Sequence, residues 1–358
     1  MKPSYKVRDF GVTKYGEKAR AWELQGAGGM ILDVTDFGGK VIRLLTPDRN
    51  GEMKDITIGF DSPAGWDATD PYWGAIIGRY GNRIAKGKFT LNNVEYTIPL
   101  NNEPGNIPCG LHGGTRGWDA FVWGAEPFVK DDDVGIIFSR TSPDGENGFP
   151  GKVDVSVIYT VTKDNTWRIE YKATPDKDTP INMTQHVYFN FKGEAGGSIE
   201  DHTLWIDGDA TTPTDIGLIP TGEVAPVEGT PFDFRKPTLI GARINAKNQQ
   251  LEFGRGYDHN WVLNKKVGEM KKVAELTYSG NGRGLEVWTT EPCIQIYTGN
   301  WAEYEWTAKG GEHLSFRCGI AMETQHAPDS PNRPEWPTTI VKAGQLYHTV
   351  TEYRFFAK

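Results

Sequence analysis

The chain has 358 residues, with 39 Lys and Arg against 47 Asp and Glu, for a formal charge of −8. That balance, without any basic stripe, argues against a phosphate backbone or an anionic membrane surface as partner, and no apolar run reaches the ~18 residues of a spanning helix. Forty-three glycines, 22 prolines and 12% aromatic residues describe many short strands joined by tight turns.

The N-terminus, MKPSYKVRDFGV, carries no hydrophobic segment of the signal-peptide kind, so the expectation is a cytoplasmic protein. A secreted or periplasmic protein shorn of its leader would look the same. Cys109, Cys293 and Cys318 form no C-x-x-C, which argues against a disulfide framework or a zinc knuckle and for thiols in a reducing compartment.

In chain order, Ser62 and Pro63 predict one helical turn over 62–66, with proline at the first helical position. Phe89 and Leu91, the pair Asn92-Asn93, then Tyr96 and Ile98 predict a hairpin. The run 153–161 alternates strictly: Val153, Val155, Val157, Tyr159 and Val161 share a face opposite Asp154, Ser156 and Thr160. After the turn at Asp164-Asn165, Trp167, Ile169, Tyr171 and Ala173 resume it, which predicts an antiparallel pair with one solvated face. A second short helix is expected near 238–244, a third hairpin over 273–278 and 285–289, and a closing strand in YHTVTEYRF. With no repeat, linker or composition shift, residues 1–358 read as a single domain, all-β, a large antiparallel β-sandwich with few short helices.

Several polar residues sit oddly in this pattern. GRYGNRIAKGKF places Asn82 and Arg83 between glycine turns, where an arginine is either an exposed loop residue or a fork of donors for ligand oxygens. His112 precedes two glycines that permit close backbone approach. His186 lies on an extended run beside Gln185, Tyr188 and Asn190, although a lone histidine is more often a satisfied core or surface residue. Asp258 is a turn cap or a groove acid, and Gln295 shares a face with Tyr297. Glu323 opens a stretch holding Pro328, Pro331, Pro334 and Pro337, whose stiffness is expected to hold the acid still. There is no H-E-x-x-H, Walker loop, G-x-G-x-x-G or G-x-S-x-G, so nothing implies a nucleotide, flavin or metal, and any chemistry runs on side chains.

Seven segments in order, GNRIAKGKF, LHGG-x-x-GWD, SPDGENGFPG, the His-x-Tyr-Phe-Asn run, GYDHN, IQIYTGN and ETQHAPDSPN, resemble the galactose mutarotases, the aldose 1-epimerase family, over about residues 10 to 356. The resemblance implies a β-supersandwich that interconverts the α and β anomers of free aldohexoses such as galactose and glucose, without cofactor or metal. By motif, Glu323 would be the base and His186 the acid, with Asn82, Arg83, His112, Asp258 and Gln295 on the sugar hydroxyls and Tyr188 in the pocket wall. The expected molecule is a monomer or homodimer acting on a small sugar. Val187 and the run after Asn190 depart from the family's habit, beside the histidine and not on it.

The chemistry asks for one base at the C1 hydroxyl and one acid at the ring oxygen. The expectation is an ionised Glu323 and a protonated His186 facing each other across the sugar, with a bell-shaped pH–rate curve. Three rivals remain: a glycoside hydrolase using Asp258 with Glu323, a relative acting on hexose 6-phosphates, and a sugar-binding module without activity.

Overall fold

Strict alternation does set the centre of the molecule. In the computed structural model, which describes residues 2–69, 72–301 and 306–358, the strand Val153–Val161 buries its odd positions and pairs antiparallel with Thr166–Pro175, Val157 opposite Tyr171. These two lie inside an antiparallel sheet of nine strands. Its order is Gly124–Lys130, Asp133–Ser142, Val153–Val161, Thr166–Pro175, Tyr347–Ala357, Arg283–Thr289, Lys271–Thr277, Thr203–Ile206 and Thr238–Leu239. The C-terminal strand therefore closes the middle of the sheet, not its edge.

A second sheet of six strands runs in the order Tyr188–Phe189, Ile320–Gln325, Cys293–Tyr297, Asp258–Val262, Ala210–Thr211 and Ala225–Pro226. Its side chains alternate between two faces. Ile320, Met322, Ile294, Ile296 and Trp261 turn toward the nine-stranded sheet and join one core with Val157, Tyr159 and Trp167. Thr324 completes that face by sharing a hydrogen bond with Thr351 at 2.6 Å. The intervening residues, Asp258, Gln295, Tyr297 and Glu323, are thereby directed to the other face. The register reinforces this, with Asn260 opposite Gln295 and Gln295 opposite Glu323.

The hairpin Lys88–Leu91 and Val94–Thr97 turns on Asn92 and Asn93, both at positive φ (51° and 63°), as a two-residue turn of this hand requires. Strands Lys271–Thr277 and Arg283–Thr289 form the third predicted hairpin. Pro63–Ala68 is helical with proline in its first turn, though Ser62 makes no side-chain cap. Residues 238–244 differ from expectation: Thr238–Leu239 pair with the large sheet, and only Ile240–Ala242 make a 3-10 turn. A five-stranded sheet over Ser4–Val12, Lys18–Gln25, Ile31–Thr35, Val41–Pro47 and Met53–Asp55 packs Leu24, Leu32, Val34 and Leu44 into the main core. Among the described residues no helix is long and apolar enough to cross a membrane.

Candidate active site

A cavity of about 540 Å³ opens on the outward face of the six-stranded sheet, a size suited to a small ligand. Glu323, Asp258 and Tyr297 enter it from the sheet. Tyr188 enters from the edge strand of the sheet, and Asn82, Arg83, His112 and His186 enter from segments outside it. Gln295 does not reach the lining. It sits behind Asp258, whose Oδ1 accepts its Nε2–H at 2.8 Å, and so steadies the acid from below.

Glu323 is held by pairing, not by its prolines. It lies within Ile320–Gln325, bonded on one side to Cys293–Tyr297 and on the other to Tyr188–Phe189. The proline run serves a different segment: the Asp329 amide donates to the Arg83 carbonyl at 2.8 Å, and its Oδ1 accepts the Ala85 amide at 2.9 Å. Rigidity there fixes the arginine.

His186 occupies the gap between Thr184–Gln185 and Tyr188–Phe189. Its backbone is pinned by the Ala75 carbonyl (3.0 Å) and the Gly74 amide (2.9 Å). Its Nε2 lies 3.5 Å from Glu323 Oε1. The two groups are therefore side by side, not on opposite sides of a sugar ring. Burial pushes the His186 pKa down to about 4, with the Asp258 carboxylate pulling it back up. The expectation of a resting imidazolium thus meets an opposing force, and the facing carboxylate of Glu323 is the group placed to favour the charged form.

His112 and Asn82 both adopt positive φ (49° and 64°). The Asn82 amide donates to His112 Nδ1 at 3.1 Å. An amide can only donate, so the neutral ring carries its proton on Nε2. Gly113 follows at φ 86°, where a β-carbon would collide with the Gly78 carbonyl. Burial, then the neighbouring His186 and Arg83, drive the His112 pKa well below its usual 6.5. Arg83, 8% exposed, donates through Nε to Asn102 Oδ1 at 3.0 Å and sets Nη1 3.9 Å from Asp258 Oδ2.

The ligating atoms of His112, His186 and Glu323 all fall within 4.8 Å of one another. They nevertheless suit a metal poorly, because the His112 lone pair at Nδ1 is already used and Nε2 bears the proton. The trio is better equipped to exchange protons and hydrogen bonds with a hydroxylated ligand.

Other wall residues carried no sequence signal. Tyr72 packs against both imidazoles, its ring centroid 4.7 Å from that of His112 and 6.3 Å from that of His186. Asn102, Glu103, Trp301 and Trp306 also line the cavity. Nothing in NNEPGN or among 12 tryptophans marks these positions in advance. The SPDGENGFPG segment lies outside the cavity and has a supporting role. The buried Arg79 donates to the Pro150 carbonyl at 2.8 Å and to Ser142 Oγ at 2.6 Å, which anchors the loop bearing Asn82 and Arg83.

The family model for aldose 1-epimerase matches residues 20–354. Galactose mutarotase of Rattus norvegicus is 41% identical over 324 residues, 90% of each chain. The chain belongs to the aldose 1-epimerase family. Aldose 1-epimerase of Escherichia coli K12 is 36% identical over 346 residues, 96% of this chain and 97% of that one. The crystal structure of galactose 1-epimerase from Lactobacillus acidophilus shares the fold with a TM-score of 0.86 over 99% of both chains, at 24% identity. As an aldose 1-epimerase, the protein is an isomerase of sugar anomers.

Proposed function

We propose that the enzyme interconverts the anomers of free, neutral aldohexoses through the Glu323–His186 pair. Glu323 removes the proton of the C1 hydroxyl while His186 delivers one to the ring oxygen, and the C1–O5 bond breaks. Rotation about C1–C2 presents the other face of the aldehyde, and the two groups exchange roles as the ring closes. The hydroxyl and ring oxygens are bonded to the same carbon. A base and an acid 3.5 Å apart can serve both at once, and that separation is the observation that carries the reading. Two such transfers are typically worth ~10²–10⁴-fold each.

Arg83, His112 and Asp258 surround the remaining hydroxyls. His112 presents a fixed Nε2–H donor, and Asp258, steadied by Gln295 and Arg83, is an acceptor. Arg83 is the one arginine or lysine among the described lining residues, and Asp258, Glu103 and Glu323 share the cavity with it. That balance favours uncharged sugars over hexose phosphates. The three cysteines are free and buried, consistent with a cytoplasmic enzyme, and the reading needs nothing beyond a monomer or homodimer.

The test is polarimetry on freshly dissolved α-D-galactose and α-D-glucose. Accelerated drift to the equilibrium rotation is expected for the wild type, and drift at the uncatalysed rate for Glu323→Gln. A Glu323→Gln enzyme retaining more than about a tenth of the rate overturns the assigned role.

A further inference from the structure

We propose that the Asn182 carboxamide is the shared support that fixes Glu323, His186 and Arg83 relative to one another. The side chain is fully buried, outside the cavity lining. Its Oδ1 accepts the His326 amide at 2.9 Å, and its Nδ2 donates to the His326 carbonyl at 3.1 Å and to the Gly81 carbonyl at 3.3 Å. Its backbone accepts the Gly81 amide at 2.6 Å and donates to the Arg79 carbonyl at 3.0 Å. One residue thus joins three segments. His326 directly follows the strand bearing Glu323, Gly81 precedes Asn82 and Arg83, and Asn182 itself leads into the strand before His186.

Two further observations point to the same joint. Gly81 packs so closely that a β-carbon there would lie 3.1 Å from the Asn182 carbonyl oxygen and 3.5 Å from Gln325 Oε1. The same segments are also tied a second time. The Met183 amide donates to Tyr347 Oη at 3.2 Å, that hydroxyl donates to Glu291 Oε1 at 3.3 Å, and Glu291 Oε2 meets His326 Nδ1 at 2.7 Å. Sheet pairing fixes Glu323, but Arg83 opens a strand of only three residues and His186 lies between two strands of two residues each. Their placement against Glu323 depends on cross-ties of this kind. Acid and base must hold their places to about 0.5 Å, and misplacement by about 1 Å can cost ~10²-fold.

Asn182 is a positioning residue in this account, which rests on the Glu323–His186 reading. Asn182→Ser shortens the side chain so that it no longer spans His326 and Gly81. Asn281 provides the comparison: it donates to the Phe191 carbonyl at 2.8 Å and accepts the Arg283 amide at 3.1 Å, also bridging segments, but away from the cavity. The measurements are kcat and KM for galactose, with melting temperature, for Asn182→Ser and Asn281→Ser. The expected result is a fall in kcat of tenfold or more for Asn182→Ser with KM within about threefold, and an unchanged kcat for Asn281→Ser. A kcat loss under fivefold in Asn182→Ser, or an equal loss in both variants, overturns the proposal. If Asn182→Ser does not fold, Gly81→Ala presses on the same joint and is held to the same threshold. Glu323→Gln assayed alongside separates the two levels. If it is inactive while Asn182→Ser is intact, only the support fails; if it is active, the underlying reading fails.

Discussion

Asn82 and His112 hold one another by two backbone-anchored hydrogen bonds. The Asn82 amide donates to His112 Nδ1 at 3.1 Å, and the His112 amide donates to the Asn82 carbonyl at 3.1 Å. The first bond settles the tautomer of the ring and makes Nε2–H a donor toward the cavity. Burial and the neighbouring cations keep His112 neutral far below its usual range. Nitrogen-15 spectra should therefore show one neutral tautomer, protonated at Nε2, unchanged between pH 5.5 and 8. His112→Ala should raise KM about fivefold, equivalent to a hydrogen bond of ~1 kcal/mol, with a smaller effect on kcat. A His112 that titrates within that pH range would remove the donor role.

Glu323 and His186 should be coupled in their titration. Burial pulls His186 to about 4, and a carboxylate 3.5 Å from its Nε2 opposes that. Replacing the carboxylate in Glu323→Gln leaves burial opposed only by a backbone hydrogen bond and by Asp258, so the His186 resonance should titrate at lower pH than in the wild type. The wild-type kcat should follow a bell whose limbs belong to the pair and not to either residue. Identical His186 titration in the two proteins would show that the groups do not share a proton.

The sheet-bound half of this site was legible in the sequence because period-2 alternation specifies which side chains share a face. Asp258, Gln295, Tyr297 and Glu323 fall on one side of three adjacent strands for the same reason that Ile296 and Met322 fall on the other. Register, however, places Gln295 behind Asp258, and the sequence holds no information about depth. The prolines after Glu323 suggested a rigid mount for the acid, yet their loop docks on Arg83 and Ala85, distant in sequence. The N-terminal sheet was missed because its first strand, Ser4–Val12, buries only Phe10, so no alternation marks it.

Arg83 should not tolerate lysine. Its guanidinium spans Asn102 and Asp258, with Nε on the first and Nη1 3.9 Å from the second. An ammonium is a single point and cannot reproduce that span. Arg83→Lys should raise KM for galactose roughly tenfold or more while kcat falls less, and Arg83→Ala should exceed it, both read by steady-state polarimetry. Equal kinetics for Arg83→Lys and wild type would show that charge alone suffices.

Stability should fall on acidification where buried histidines stay neutral in the fold while the unfolded chain takes up their protons. Burial holds His202 and His259 at about 4 and His112 lower still, against an unfolded value of 6.5. Between roughly pH 6 and 4 the unfolded chain binds these three protons and the folded chain does not, so these groups make stability rise with pH across that window. Asp36 and Asp119, pushed up to about 6 by burial, work the opposite way, since the folded state keeps protons the unfolded state releases. The raised carboxyls of Glu194 and Asp329 act in the same direction as Asp36 and Asp119, so the carboxyls offset part of the histidine effect. Urea midpoints should drop from pH 6 to pH 4.5. His202 permits a clean dissection. Its Nε2 accepts the Phe191 amide at 3.0 Å in a site remote from the sugar cavity. His202→Gln retains an acceptor but cannot titrate, so it should remove about one proton from the slope, ~1.4 kcal/mol per pH unit, and leave kcat unchanged. An unaltered pH slope in His202→Gln would assign acid lability to groups other than the buried imidazoles.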